Sequence, residues 1–416
     1  MRLLLVSAFV PWPADNGYKL RTLSVLRGLS SLGHEVTLLA FAPGGEAPGH
    51  RALERWCRRI EVVPLTLASL SSARGVLARV RGLASGLPFS ARRFRSTDME
   101  RRVRHLLRAE RVDAVVADGV FSLVNVPDTP VPVLLNAHNV EHLILARYAD
   151  HERHPLKRGY ARLESRKLRA FERAACGRAT AVLTCSEVDR AVFAALRPDR
   201  PALVVPNVID VEEYHPGASA DQATLLYQGG LDWYPNRDAV AFFVSEILPR
   251  VRRAVPAARL VVAGRNAPEN FRRRFAGVPG VAFTGAVDDM RPVIARATVC
   301  VVPLRIGSGT RLKILEAAAM AKAVVSTRLG AEGLSFAGGE EIALADEPQD
   351  FADAVIGLLG SGSRREALGR AARRRVYADY SAAVLRAHLR RALDVVPAER
   401  AFEPLPAAAP LQAVAP

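Results

Sequence analysis

The stretch IGSGTRLKILEAAAMAK, from Ile306 to Lys322, combines the residue types and the spacing that an anion site requires. Two glycines flank Ser308 in a predicted turn, and a helix is predicted to begin near Thr310. Free amides at a helix N-terminus and the helix dipole both favour a bound anion. Arg311 and Lys313 add positive charge in the first helical turn. The stretch therefore predicts a turn that binds a phosphate, and an ordinary loop that caps an ordinary helix is the alternative.

Glu316 follows Lys313 by three residues, so a helix places the two side chains next to each other on one face. A carboxylate at this position can bind two vicinal hydroxyl groups, such as those of a ribose. The alternative is a Lys–Glu pair on a solvated helix face. The residues AAAMA after Glu316 are small and apolar, which favours a buried helix, and a buried glutamate needs a partner.

A second anion-binding turn is predicted in PWPADNGYKLR, which follows the first predicted strand. Gly17 permits a tight turn before a helix, and Lys19 and Arg21 lie in the first helical turns. A plain connection between strand and helix is the alternative. The chain has no GxGxxG here, so the dinucleotide fingerprint is absent.

NAHNVEH carries a candidate acid–base residue. His138 comes directly after a predicted strand, where its imidazole can accept a proton or bind a substrate hydroxyl. A structural histidine is the alternative. A helix is predicted to begin at Glu141, and His142 is equally consistent with a residue on the surface of that helix.

Two further loops follow predicted strands. In YQGGLDWYPNRDA, Gly230 allows a ligand to approach the backbone closely, and Trp233 and Tyr234 either line a cleft or fill the core. Asn236 can cap the helix that follows. Arg265 ends another predicted strand and can reach a phosphate.

The elements that must position these residues form two series. Continuous Val/Leu runs, rather than alternating ones, predict strands covered on both faces, as in a parallel sheet wrapped by helices. We therefore predict an α/β chain of two doubly wound domains, at 1–210 and 211–380, whose ligands lie in a cleft beyond the carboxyl ends of the strands. We predict a C-terminal helix at 381–396 that packs back on the first domain, and a disordered tail at 397–416. The predicted strands are Arg2–Val10, Glu35–Phe41, Asp113–Gly119, Val131–Asn139, Thr180–Ser186, Ala202–Asn207, Thr224–Gly230, Arg259–Arg265, Val281–Val287, Thr298–Leu304 and Ala323–Thr327.

Composition limits the location and the cofactors. The chain has four cysteines without metal-ligand spacing, which indicates buried thiols in a reducing cytoplasm. We see no signal peptide and no apolar run of the ~20 residues that a membrane span needs. No DxD motif and no His/Cys/carboxylate cluster is present, so a reaction without metal or other cofactor is favoured.

The formal charge of +16 is concentrated in the first half of the chain. Arg51–Arg111 alone holds 15 basic and 5 acidic residues, and this stretch is predicted to face anionic lipid at the inner face of a membrane. Within it, Val76, Leu77, Val80 and Leu83 alternate with arginines in an amphipathic pattern. The alternative is solvated helix faces. No nucleic-acid-binding motif accompanies the charge.

Taken in order, these segments resemble glycosyltransferase family 4, of the GT-B architecture. The likeness runs from Met1 to about Val395 and includes QGGLDWYPNRDAV, RLVVAGR, FTGAVDDMRPVIARA and VPLRIGSGTRLKILEAAAMAKAVVSTRLGAEGL. It implies a retaining hexosyltransferase-type enzyme that takes a sugar from a nucleotide-diphospho-sugar. The donor is expected mainly on the second domain and a glycan or lipid-linked acceptor on the first.

The resemblance also implies roles for individual residues. Glu316 would bind the donor ribose, and His138 would contact the donor sugar near the reacting centre. The remaining implied contacts are with the diphosphate, at Gly17, Gly230, Arg265, Gly309, Thr310, Arg311 and Lys313.

Two departures from the family pattern stand out. Ser308 occupies the position of the first of two family glutamates, which leaves the identity of the donor sugar open, although Ser308 itself is expected at that sugar. Gly230 and Asn236 stand about where the family often has an arginine and a lysine. The diphosphate charge must then be met by Arg265, Arg305, Arg311 or Lys313.

The lead hypothesis is therefore a metal-independent transferase of surface-polysaccharide or glycolipid synthesis. A sugar-nucleotide epimerase of the same fold and a non-catalytic nucleotide-sugar-binding protein are the alternatives, the second because of Ser308.

Overall fold

Two parallel sheets, each with helices on both faces, form the computed structural model, which describes residues 1–45, 49–65, 67, 73–217 and 223–397. The central strands of both sheets are buried along most of their length, as their continuous apolar runs predict. Apart from Pro397, the predicted tail lies outside the described residues.

The first sheet has seven parallel strands in the order β3-β2-β1-β4-β5-β6-β7. Its strands are β1 (Arg2–Ser7), β2 (Glu35–Ala42), β3 (Arg59–Pro64), β4 (Ala114–Asp118), β5 (Val133–Asn136), β6 (Ala181–Thr184) and β7 (Ala202–Val204). The helices of this domain are α1 (Gly17–Ser31), α2 (His50–Leu53), α3 (Ala73–Gly82), α4 (Phe89–Phe94), α5 (Thr97–Ala109), α6 (Glu141–His151), α7 (Pro155–Arg178) and α8 (Glu187–Leu196). Short 3₁₀ turns occur at Pro43–Gly45 and Ser122–Asn125.

The second sheet has six parallel strands in the order β10-β9-β8-β11-β12-β13. These are β8 (Thr224–Gln228), β9 (Arg259–Ala263), β10 (Val281–Gly285), β11 (Val299–Val302), β12 (Val324–Ser326) and β13 (Ala343–Leu344). The helices are α9 (Tyr234–Phe242), a π-helical turn (Phe243–Ile247), α10 (Leu248–Ala254), α11 (Glu269–Phe275), α12 (Arg291–Arg296), α13 (Leu312–Ala319), α14 (Pro348–Gly360), α15 (Gly362–Asp379) and α16 (Ala382–Leu393).

Helix α16 returns from the second domain and packs on α1 of the first. A Cβ on Gly28 would lie 2.5 Å from Leu389 Cδ1 and 3.4 Å from Leu385 Cδ2, so a larger residue here would require the leucine side chains to shift. Leu385 and Leu389 belong to the same buried cluster as the apolar residues of β1 and β2. The core of the first domain is therefore completed by the C-terminal end of the described chain.

Three elements differ from the sequence prediction. The strands β3 and β13 were not predicted, because β3 interrupts its apolar residues with Arg59 and Glu61 and β13 has only two residues. The helix that Asn236 was predicted to cap begins earlier, at Tyr234, with Pro235 in its first turn, where a missing N–H has no cost.

Candidate active site

A buried carboxylate lies where three strands of the first sheet end. Asp118, the last residue of β4, is fully buried and pairs in register with Ser7 of β1 and Asn136 of β5. Its carboxylate accepts hydrogen bonds from the Ser7 hydroxyl (2.9 Å), the Thr22 hydroxyl (2.6 Å) and the Asn136 amide (2.7 Å). The parallel register thus brings residues from distant parts of the sequence to one point at the cleft edge of the sheet.

His138 is held by this carboxylate. Its Nε2 lies 2.8 Å from Asp118 Oδ1, and its ring stacks on that of Tyr18, with centroids 4.2 Å apart. Burial raises the pKa of Asp118, but the charge of His138 and the surrounding hydrogen bonds outweigh burial and keep that pKa below its ordinary value. An ionised Asp118 requires an N–H on Nε2, which assigns Nδ1 as the imidazole atom available to a ligand.

Replacing Asp118 with asparagine is expected to lower the free energy of unfolding by about 1–3 kcal/mol, because the donors that now share a buried carboxylate lose one of its two accepting oxygens. Turnover should fall by roughly tenfold or more, since the His138 tautomer is no longer fixed. Urea unfolding and a turnover assay measure the two effects. Asp128→Asn is the matched control, because that side chain is 97% exposed. Turnover at the wild-type rate in D118N would contradict the tautomer assignment.

The surface position considered for His142 is wrong. His142 is buried, and its Nδ1 lies 2.5 Å from Oε2 of Glu172, a fully buried residue of α7. The Glu172 carboxylate also accepts the backbone N–H of Glu141 (2.7 Å), the first residue of α6. This pair fixes the start of α6 and so the loop that carries His138.

Glu141 itself is a candidate that the sequence did not single out. Its Oε1 accepts a hydrogen bond from Asn139 Nδ2 (3.1 Å), and it lies close enough to Tyr234 of the second domain to raise the pKa of that phenol. Burial, together with the nearby Glu172 carboxylate, raises the pKa of Glu141 to about 7 despite the bond from Asn139. The cleft therefore contains a carboxyl group that changes charge near neutral pH.

Glu316 points to the carboxyl end of β8, as expected for a residue of the cleft. Its Oε1 accepts a bond from the Tyr214 hydroxyl (3.2 Å), and its Oε2 accepts one from Gln228 Nε2 (2.5 Å). Burial raises its pKa, while Tyr214 and the Lys313 charge oppose that shift. Each oxygen keeps a lone pair, so a pair of hydroxyl groups can still bind.

Lys313 lies one helical turn before Glu316 and points to the glycine loop after β8. Its Nζ is 3.1 Å from the Tyr227 hydroxyl and 3.1 Å from Asn236 Oδ1, and a Cβ on Gly229 would approach it to 2.9 Å. Burial lowers the pKa of Lys313 to about 7, helped by the charge of Arg311. Burial destabilises the charged form of Lys313 when no anion is near it. A bound anion would remove that penalty, so this position favours the binding of an anion.

Two helix N-termini face each other across the cleft. Helix α1 begins at Gly17 and α13 at Leu312, and a Cβ on Gly17 would lie 3.6 Å from Leu312 Cδ1. Both dipoles direct their positive ends to this space. At its edge, Asp15 pairs with Lys19 (3.0 Å) and with Arg265 of the second domain. Positive groups of both domains therefore converge where the sequence predicts the diphosphate.

The turn before α13 docks on the first domain. The Ser308 hydroxyl accepts the backbone N–H of Val140 (2.9 Å) and lies 3.4 Å from Asp189 Oδ1. A Cβ on Gly309, whose φ is 73°, would lie 2.7 Å from the His138 carbonyl oxygen, so a glycine is required. Thr310 Oγ1 accepts a bond from Asn207 Nδ2 (2.7 Å). The turn therefore brings α13 close to His138. The Ser308 and Thr310 side chains form hydrogen bonds between the two domains.

The four basic residues that could neutralise a diphosphate differ in their partners, and Arg265 already pairs with Asp15. Arg311 is buried, and its Nη1 donates to the carbonyl groups of Ser308 (2.5 Å) and Gly309, so it supports the turn, while its Nη2 has no hydrogen-bond partner among the described residues. Its predicted place at the diphosphate stays a prediction. Arg305 forms two hydrogen bonds with the Asp238 carboxylate (2.7 and 3.0 Å). Lys313, which has no carboxylate within bonding distance among the described residues, remains the best placed.

Sequence reasoning missed several supporting residues. Asp118 ends a predicted strand, and the rule that ligands lie at carboxyl ends could have identified it. Gln228 ends a strand in the same way, whereas Tyr214 lies just after the predicted domain boundary at 210 and carries no local signal. No group of three His, Cys, Asp or Glu residues with metal-binding geometry occurs in the described part of the chain.

Two family models match the chain, one after the other. Residues 16–213 match "Glycosyltransferase Family 4", and residues 222–361 match "Glycosyl transferases group 1". A curated relative, "Uncharacterized 44.6 kDa protein in cps region" of Klebsiella pneumoniae, is 22% identical over 366 residues, which cover 85% of this chain and 90% of the relative.

Solved structures share the fold over almost the whole chain. Sucrose-phosphate synthase of Thermosynechococcus elongatus has a TM-score of 0.70 at 17% identity, with 95% of this chain and 98% of that chain covered. HepE of Anabaena, in complex with UDP and glucose, has a TM-score of 0.65 at 13% identity, with 94% and 99% covered. At these identities the likeness establishes two facing Rossmann-like domains, as predicted.

Proposed function

Since this chain belongs to the GT-B glycosyltransferases, with a family 4 domain followed by a group 1 domain, we propose that it transfers a sugar, with retention of configuration, from a nucleotide-diphospho-sugar to a glycan or lipid-linked acceptor. The observation that carries the proposal is the placement of Lys313 and Glu316, one helical turn apart, behind a helix N-terminus that faces Gly17. A cation for a diphosphate and a carboxylate for a ribose thus stand at adjoining positions.

The chemistry divides between the two domains. The bond between the anomeric carbon and the diphosphate breaks, and that carbon forms a bond to an acceptor hydroxyl oxygen. Negative charge develops on the leaving oxygen of the diphosphate, which takes up the proton that the hydroxyl loses. Lys313 and the N-termini of α1 and α13 stabilise that charge, so we propose that no metal ion is needed. Glu316 fixes the ribose, and His138, oriented by Asp118, contacts the transferred sugar through Nδ1.

Surface-polysaccharide synthesis is the proposed setting. The relative from the Klebsiella cps region and the complexes of HepE with UDP and with UDP-glucose support a nucleotide-sugar donor and a glycan product. A thermal-shift screen of UDP-, GDP- and dTDP-sugars identifies the donor, because a bound ligand stabilises the native state. Release of nucleoside diphosphate that requires an acceptor supports transfer, and NMR of the product anomer tests retention. Turnover of donor without acceptor would indicate an epimerase, and binding without turnover a non-catalytic protein.

We further propose that an anionic membrane binds at α3 rather than along all of Arg51–Arg111. On β3 and α5, Arg59 and Arg102 already form ion pairs with Glu61. Helix α3 instead exposes apolar side chains between arginines, namely Leu77 (48% exposed) and Val80 (57%), with Leu83 just beyond its end. Val76, which was predicted to belong to the same amphipathic pattern, has a side chain outside the described part of the structure. Ser71 and Ser72, at the start of that stretch, also lie outside it. No helix of the described residues is long and apolar enough to cross a membrane.

The double variant Leu77→Ser/Val80→Ser is expected to weaken binding to phosphatidylglycerol vesicles by about fivefold or more, because both side chains insert into the interface. Vesicle sedimentation at two salt concentrations measures this effect. Val188→Ser on α8 is the control, since Val188 is similarly exposed at 45%. A fraction of bound protein that changes with neither the anionic lipid content nor the salt concentration would contradict the membrane proposal.

A further inference from the structure

Trp233 is unusually exposed for its size. It lies five residues beyond the end of β8, on the loop that also carries Gly229 and Gly230, and its side chain is 45% exposed. Among the described large apolar side chains, Tyr377 on α15 is the one other aromatic with comparable exposure, at 40%. An exposed indole offers a large, flat apolar surface with a polar N–H, so Trp233 is a candidate ligand contact.

The indole is the first ring of an aromatic array that crosses between the domains. The centroids of Trp233 and Tyr234 are 5.0 Å apart, and those of Tyr234 and Tyr148 are 4.8 Å apart at an interplanar angle of 67°. Tyr148 belongs to α6 of the first domain, and the Tyr234 hydroxyl donates to the carbonyl oxygen of Ile144 (3.4 Å). The array therefore lies in the cleft and is fixed from both sides.

Polar groups lie on the segments that carry the array. Arg237 Nη1 donates to the carbonyl groups of Leu231 (2.7 Å) and Asp232 (2.9 Å), which holds the backbone before Trp233 in place. Asn266 Nδ2 donates to Asp232 Oδ2 (3.3 Å), and the Tyr148 hydroxyl donates to a carboxylate oxygen of Glu152. These carboxylates, the Asn266 amide and the Arg237 guanidinium group are referred to as the rim of the array.

A pyranose ring matches this chemistry. One face of the sugar presents C–H groups, which pack on an indole, while its hydroxyl groups at the edge bond to the rim. Carboxylates at Asp232 and Glu152 disfavour an anionic headgroup. A nucleobase is the less suitable occupant, because the array continues through Tyr148 into the first domain, whereas the proposed ribose ligand Glu316 belongs to the second.

We propose that Trp233 is the stacking platform for a pyranose ring of the acceptor, which makes the acceptor a glycan at its reacting end. The inference rests on the proposed transferase function and adds a subsite to it. Tyr234 and Tyr148 hold the platform at the junction of the domains.

Saturation-transfer-difference NMR tests the platform on the full chain, with methyl pyranosides and trisaccharides of glucose, galactose and mannose as probes. We expect saturation of C–H protons on one face of the bound ring. Trp233→Ala should weaken this binding by roughly three- to tenfold, and Trp233→Phe should keep most of it, because a smaller ring remains. Tyr377→Ala is the matched control and should bind like the wild type.

Equal saccharide binding by W233A and the wild type, or weaker UDP binding in W233A without loss of saccharide binding, overturns the platform. Absence of saccharide binding in a wild-type protein that turns over its donor overturns it as well. A wild-type protein that neither binds nor turns over any nucleotide sugar contradicts the proposed function instead. A raised acceptor KM at unchanged donor KM in W233A is the expected kinetic counterpart.

Discussion

Replacing Glu316 with glutamine is expected to weaken the binding of the nucleoside diphosphate by about 100-fold and to reduce transfer at least as much. Two hydroxyl groups that bond to a carboxylate lose charge-assisted hydrogen bonds worth about 1.5–3 kcal/mol each. The fold should be little affected, because glutamine has the same shape and its amide oxygen still accepts a bond from Tyr214 or Gln228. Calorimetric titration of wild type and variant measures the loss.

The sugar part of the nucleotide gives a sharper test of the same residue. If Glu316 binds the ribose, the wild type should prefer UDP over 2′-deoxy-UDP, and E316Q should lose that preference. Glu366→Gln, on the solvent face of α15, is the control and should titrate like the wild type. A variant that binds both nucleotides weakly but still discriminates between them would place the ribose elsewhere.

The sequence predicted the parts of the site that follow local rules. The helix at α13 with its cation and carboxylate, and His138 at a strand end, lie in the cleft because loop, helix and strand signals are encoded within a few residues. The order of strands and helices followed from the same apolar runs. The edge strand β3 was not predicted, because charged residues interrupt its apolar run.

Contacts between distant segments were beyond sequence reasoning. By residue type and position, Arg311 is a candidate phosphate ligand, yet its Nη1 donates to carbonyl groups of its own turn. Asp118 and Ser7 are 111 residues apart and meet only through strand register. Side-chain direction in a turn and pairing between strands depend on the packed fold, so residue type alone could not assign these roles.

Replacing Lys313 with methionine is expected to lower turnover at saturating donor by about 100- to 1000-fold, the usual effect of removing one group that stabilises charge in the transition state. Stability should not fall, because a neutral side chain avoids the cost of burying an ammonium group. A quenched assay of nucleoside diphosphate release measures the change. Lys157→Met, on the exposed start of α7, is the control.

The pKa of Lys313 adds a pH signature. Burial lowers that pKa to about 7, so the free enzyme loses the ammonium form as the pH rises through 7, and affinity for the diphosphate should fall above that pH. Donor binding near pH 7.5 should take up a proton. Glu141, with a pKa of about 7, titrates in the same range, and Lys313→Arg separates the two because arginine stays charged. A K313R enzyme that keeps the wild-type decline would assign it to Glu141.

The neighbour of Lys313 supplies the decisive experiment. Asn236 stands about where the family pattern often has a basic residue. Its Oδ1 is 3.1 Å from Lys313 Nζ. The ammonium group of Lys313 on α13 therefore lies next to the position where this chain has an asparagine instead of a basic residue. If the reaction requires a positive charge at this point, whether residue 313 or residue 236 supplies it, the exchange Asn236→Lys/Lys313→Asn should recover much of the turnover that Lys313→Asn loses. Asn236→Lys alone places two cations together and should raise affinity for the diphosphate while lowering stability. Failure of the exchanged pair to exceed K313N, in a variant that melts like the wild type, would show that Lys313 acts from α13 in some way other than by its charge at this point.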